Sequence, residues 1–190
     1  MSAEWVTAIA TAGTFFVIAA SASAALVQLR HMRTSNQVLI MNELRNKMDS
    51  AEFKRAVRFI RYELPDRMRS DSEFRRTLLA NTGPEAEMIA DVGEFFDFEA
   101  SQLVKHNMVD ARLACDWLYS PVVPCWDALA PLISSRRAML GYSVWEDFEY
   151  LALLCKRFRQ RYPEGTYPRG TERLPLPAPW PEALSREPAQ

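Results

Sequence analysis

The sequence predicts an all-α protein: one N-terminal transmembrane helix followed by a small helical bundle. Three observations carry this. From Trp5 to Leu29, 25 residues run without a charge, where a spanning helix needs about 20. Beyond them apolar residues recur at helical spacing, with no strand alternation. After Tyr162 the pattern stops, and 7 of the 12 prolines follow. The expected organisation is a short external N-terminus at 1–4, a transmembrane helix at 5–29, a helical cytoplasmic domain at 30–162 and a flexible Pro-rich tail at 163–190.

The apolar run WVTAIATAGTFFVIAASASAALVQL holds no proline and one glycine, Gly13. Trp5 stands at one end, where an indole favours the interface. Arg30, His31 and Arg33 follow the other end, and only Glu4 precedes the run. Basic side chains resist translocation, so the side carrying Arg30 and Arg33 is expected in the cytoplasm and Met1 outside. A cleaved signal peptide is the competing reading, with Ala22-Ser23-Ala24 as its site, but the basic leader it needs is absent. A buried core helix would carry a polar stripe, and this run has none. Small residues four apart, such as Ala8 with Ala12 and Ala20 with Ala24, permit close helix approach and self-association.

Down the domain, Val38, Met41, Leu44 and Met48 extend the membrane helix inward. Asp49 with Glu52 reads as a capping box, opening a helix with the stripe Phe53, Val57, Ile60 and Leu64 that Pro65 ends. A short helix fits Ser72–Ala80. Asn81-Thr82-Gly83-Pro84 is a break, with Thr82 and Glu85 as the next capping pair. Met88, Ile89, Val92, Phe95, Phe96, Leu103 and Val104 mark the strongest core helix, ending near His106-Asn107. Asp110 caps a helix with Leu113, Trp117 and Leu118 on its apolar side. Ser120-Pro121 begins another, which Pro131 should kink or divide. Gly141 turns the chain, and Ser143 with Glu146 caps a last helix carrying Val144, Phe148, Leu151, Leu154, Cys155 and Phe158. The run from Leu174 to Pro181 favours extended, polyproline-like backbone.

Net charge is −1 over 190 residues, but it is divided. Gln28–Tyr62 holds eight Lys/Arg against three Asp/Glu, and Glu63–Ser120 holds six against twelve. The basic helix face with Arg55, Arg58 and Arg61 is therefore a candidate contact for anionic lipid or a partner. Pairing with the acidic face Glu87, Asp91 and Glu94 would also explain the division, and is favoured. Arg136 and Arg137 close an apolar helix, where cations suit the helix dipole; an anion-binding or partner contact is the sharper reading. Cys115, Cys125 and Cys155 form no CxxC pair and read as buried, reduced thiols. With only His31 and His106 available, no zinc set, di-iron set or nucleophile motif is evident. No catalytic residue, cofactor or metal is expected, and no nucleic acid.

The stretch Asp91-Val92-Gly93-Glu94-Phe95-Phe96-Asp97-Phe98-Glu99, then Val109-Asp110, Trp126, Arg136-Arg137 and Trp145-Glu146-Asp147-Phe148-Glu149, resembles an uncharacterised bacterial family, domain of unknown function 4760. The resemblance implies the same plan, one N-terminal membrane helix and a helical cytoplasmic domain, and a bacterial origin. It implies no activity. These features point to a single-pass protein of the bacterial inner (cytoplasmic) membrane. Its expected role is that of a helical interaction or scaffold module rather than an enzyme, held in lipid through Trp5–Leu29. It would bind a protein partner or copies of itself. The alternative is a subunit of an oligomeric membrane assembly, a channel or a stress-responsive effector.

Overall fold

A 47-residue helix, α1 (Ala3–Asp49), leads into the bundle. The computed structural model describes residues 3–178 and 180. Met1 and Ser2 of the expected external N-terminus, and Pro179 and 181–190 of the tail, lie outside the described residues, as do the side chains of 4–10, 33 and 34, including Trp5 and Arg33. From residue 11 to residue 32 every α1 side chain is exposed. The last turns differ: Leu44 enters the core, and Ile40, Met41 and Met48 pack against it. The inward extension of the first helix is thus one unbroken element.

Then follow α2 (Ala51–Tyr62), α3 (Leu64–Ser70), α4 (Ser72–Leu79), α5 (Pro84–Glu94), a π turn (Phe95–Ala100), α6 (Ser101–Lys105), α7 (Ala111–Leu140) and α8 (Glu146–Arg161). No strand occurs among the described residues. The chain is all-α, with a helical domain behind one long apolar helix. α7 and α8 pair most extensively, and α2, α5 and the π turn close the other side of the core. Phe53, Phe95, Phe96, Phe148 and Trp126 form a run of ring contacts through its centre, at centroid distances of 4.9 to 5.3 Å between neighbours.

Several local expectations are corrected. Asp49 is the last residue of α1, and the cap of α2 is Ser50, whose Oγ accepts from Phe53 N at 3.2 Å. Asp49 instead pairs with Lys54 at 2.8 Å. α2 buries Phe53, Ala56, Phe59 and Ile60, with Val57 half-buried. Pro65 opens α3 rather than merely ending α2, since a first turn needs no N–H there. Thr82 caps nothing: its hydroxyl donates to Thr77 O, and Gly83 at φ +89° precedes α5. Asp110 does cap α7, accepting from Arg112 N and Leu113 N at 3.0 Å. Leu113 itself is exposed, and Ala114, Cys115 and Leu118 make the buried side.

α7 is one helix of 30 residues through Pro121, Pro124 and Pro131. Each proline removes one backbone bond, but the flanking α7 turns are held by α8 along their length. α8 has no Ser143 cap. It starts after Trp145, whose backbone is left-handed at φ +51°. The tail from Pro163 onward is without helix among the described residues, and Leu174, Leu176 and Trp180 are exposed.

Candidate functional site

The core helix breaks its own period at Phe96. Past Val92 the buried positions widen: Phe95, Phe96 and Asp97 are all buried, and so are Ala100 and Ser101. The backbone accommodates the extra residue as the π turn, in which Ser101 N–H bonds Phe96 O and the Ser101 hydroxyl donates to the same carbonyl. π turns inside helices recur at sites that re-aim a side chain. Here the re-aimed group is Asp97, 6% exposed. Its Oδ1 accepts from Phe148 N at 2.8 Å, in the first turn of α8. Asp97 therefore does for α8 what a local cap would do, from another element. Burial pushes its carboxyl above the ordinary value, opposed by backbone hydrogen bonds from Phe148 and Asp147.

The same junction is tight elsewhere. A Cβ at Gly93 would stand 2.2 Å from Trp145 Cζ2. The absent side chain is what lets the Trp145 ring lie on α5. Gln102 and Lys105 of α6 both reach Asp147, Lys105 at 2.7 Å. Arg136, 8% exposed, sends its Nη2 to Leu78 O at 2.8 Å and Asn81 Oδ1 at 2.7 Å. It closes the C-terminus of α4, not of its own helix, and its guanidinium lies over the Trp145 ring. Arg137 donates to Val144 O, Trp145 O and Glu149, pinning the loop before α8. Arg136 is thus corrected as a lipid or partner contact: it is buried, and its Nη2 is committed to Leu78 O and Asn81 Oδ1. Arg137 is half-buried with its donors committed in the same way.

The structure therefore gathers the separate stretches 91–99, Trp126, 136–137 and 145–149 at one junction. Asp97, Gly93 and Trp145 went unassigned in sequence. One signal was there: Gly93 sits within the apolar stripe of Met88, Ile89, Val92, Phe95 and Phe96. Chemically the junction is a clamp. One buried carboxyl and two guanidiniums hold the end of α4, the start of α8 and the loop before it. Among the described residues no group of three His, Cys, Asp or Glu could hold a metal.

The other predicted contacts lie apart from it. Arg55 and Arg58 are exposed on α2, and Arg61 is half-buried beside Tyr62. Among the described residues no ion pair joins them to Glu87, Asp91 or Glu94, which corrects the favoured intramolecular pairing. Arg67–Glu85 at 2.9 Å pairs two residues within the acidic stretch, and the basic and acidic regions meet through Lys47–Glu99. The first of these holds the Glu85 carboxyl below its ordinary value. The physical reason is rotation: the faces of α2 and α5 that meet are the apolar ones, so their charged faces diverge. An apolar cavity of about 450 Å³ lies between α3, α4 and α7, floored by Met68, Leu78 and Leu132.

A family model described as Domain of unknown function (DUF4760) matches residues 15–155. The matched span opens inside the apolar half of α1 and closes in α8, so it takes in both the rod and the clamp. No curated protein and no solved structure matches the chain.

Proposed function

The chain belongs to the DUF4760 family, and from that membership and the geometry we propose that it is a single-pass, membrane-anchored interaction module. The observation that carries this is the first part of α1. Phe15, Phe16, Val17, Ile18, Leu26 and Leu29 are each at least 60% exposed, and no element of the domain covers them. A rod of that length and apolarity is covered at low cost by a bilayer. One helix here is long and apolar enough to span.

Arg30, His31 and Arg33 against a lone Glu4 support a domain on the cytoplasmic side of an inner membrane. Three free, buried cysteines suit a reducing compartment. The domain's role is binding rather than catalysis, since its buried polar groups are spent on closing helix ends. The surface offered to an acidic protein partner is the exposed face of α2 with Arg55 and Arg58, which make no ion pair among the described residues. Lipid is the weaker occupant: Asp49, where α2 begins, lies about 30 Å along the helix from Arg30, at 1.5 Å per residue, and headgroup attraction fades within about 8 Å.

The test is fractionation of cells expressing the full chain, followed by thiol labelling of Ser2→Cys and Ala178→Cys variants. Retention in membranes after an alkaline wash, with position 2 labelled by an impermeant reagent in intact cells and position 178 protected, is the expected result. Release by the wash, or labelling of position 178, would overturn it. For the partner surface, pull-down with Arg55→Glu and Arg58→Glu combined should lose a captured acidic protein while the melting temperature holds.

A further inference from the structure

The geometry points to a parallel homodimer in which two copies pair along one face of α1, from the membrane into a groove on the domain. This rests on the membrane reading above, which fixes two neighbouring copies parallel and at equal depth.

Within the apolar stretch Phe15, Ile18, Ala22 and Ala25 fall at alternating intervals of three and four. Beyond it Leu29, Met32, Asn36 and Leu39 continue the same heptad without a slip. At 100° per residue these eight positions share about a third of the helix circumference. In lipid an apolar stripe means little. Past Arg30 it means more: Met32 and Leu39 are 61% and 62% exposed, the first on the stretch that stands clear of the domain and the second just before Ile40 packs onto it.

Two features select a second copy of this chain as the occupant. Asn36 interrupts the seam at an a position and is exposed. An asparagine there pairs with its own counterpart across a parallel two-stranded seam, and sets its register. Anchored copies at equal depth bring each seam residue opposite itself, so the asparagines meet. The second feature lies lower. The seam runs into a groove of about 370 Å³ between α1 at Ile40 and Glu43 and a far wall holding Phe98 and Met108. Those two side chains are 63% and 54% exposed. A second α1 on the seam would lie beside this wall, covering apolar surface that nothing in one copy covers. Glu43 takes the next a position and ends the seam with a charge.

Disulfide scanning of the full chain in native membranes tests this. Met32→Cys, Asn36→Cys and Leu39→Cys are compared with His31→Cys and Asn42→Cys, which point away from the seam. The buried native cysteines serve as the unsubstituted control. Mild oxidation should give several-fold more linked dimer at the three seam positions than at the two controls. Equal linkage at all five, none at any, or linkage only to chains of another mass would overturn the homodimer. Phe98→Ser with Met108→Ser, both at exposed positions, should weaken linkage at position 39; unchanged linkage would remove the groove from the interface. The same samples report membrane retention. A chain that stays in the membrane without cross-linking defeats the dimer alone, whereas a chain released by alkaline wash defeats the anchor.

Discussion

Two single residues decide whether the clamp can close. Gly93 is needed for space, not for backbone freedom: it sits inside α5 with Trp145 Cζ2, Cε2 and Cη2 all within 2.6 Å of where a Cβ would stand. Gly93→Ala forces the indole away and is expected to cost about 1–3 kcal/mol or more, as overpacking does. Chemical denaturation of the detergent-solubilised chain would show it, and an unchanged midpoint would mean the ring moves freely. Asp97 makes a prediction in pH. Burial raises its carboxyl above the ordinary 3.8, so the fold disfavours its charged form. Its contribution is then best when protonated and worsens as pH rises from the unfolded value through the raised folded one. D97N keeps a carbonyl for Phe148 N and does not ionise. Relative to the wild type, its stability should climb across that window and level off above it. A parallel pair of stability–pH curves would show that Asp97 titrates alike in both states.

At the scale of elements, helix ends are closed from a distance. α4 and α8 each depend on a charged side chain from elsewhere, Arg136 and Asp97. Arg136→Met takes the donor from Asn81 Oδ1 and one of the donors from Leu78 O, which keeps Asn81 N at 3.2 Å, at an expected cost of about 1–3 kcal/mol. Amide exchange should quicken in α4 before it does in α7; equal protection would show that Arg136 matters only through its packing on Trp145. α7 makes the opposite case, a helix that persists against its own sequence. Pro131 is exposed and leaves Asp127 O without its helical partner. Pro131→Ala restores that N–H and should raise the thermal midpoint, by up to about 3 kcal/mol in stability. A lower midpoint would mean that α8 packs on a bend the proline makes.

For the whole molecule, the boundary between the free apolar stretch and the domain falls inside α1, not at its end. Ile40, Met41, Leu44 and Met48 belong to the core, while everything from 11 to 32 stands free of it. A chain beginning at Arg33 should be water-soluble and melt where the full chain does. A chain beginning at Ser50 also lacks Leu44 and the Lys47–Glu99 pair. It should lose about 2–5 kcal/mol, the range for removing a buried leucine. Equal melting of the two shortened chains would place the whole of α1 outside the domain.

The sequence by itself determined the helical class, the uncharged run, the charges that flank it, and most breaks between helices. These are local properties, written in residues within a turn or two of one another. The capping of α2 by Ser50 rather than Asp49 shows how far such signals resolve, to about one residue. Only the tertiary structure decided which charges meet and which helices survive their prolines. Asp97 bonds a backbone 51 residues away, and Arg136 one 58 residues away. The π turn that aims Asp97 brings Ser101 N–H to Phe96 O, five positions back, and holds Phe95, Phe96 and Asp97 inside together. No local propensity asks for it. The outward turn of Arg55 and Arg58 has the same origin, for burial of Phe53, Phe59 and Ile60 sets the rotation of α2, and the charges follow.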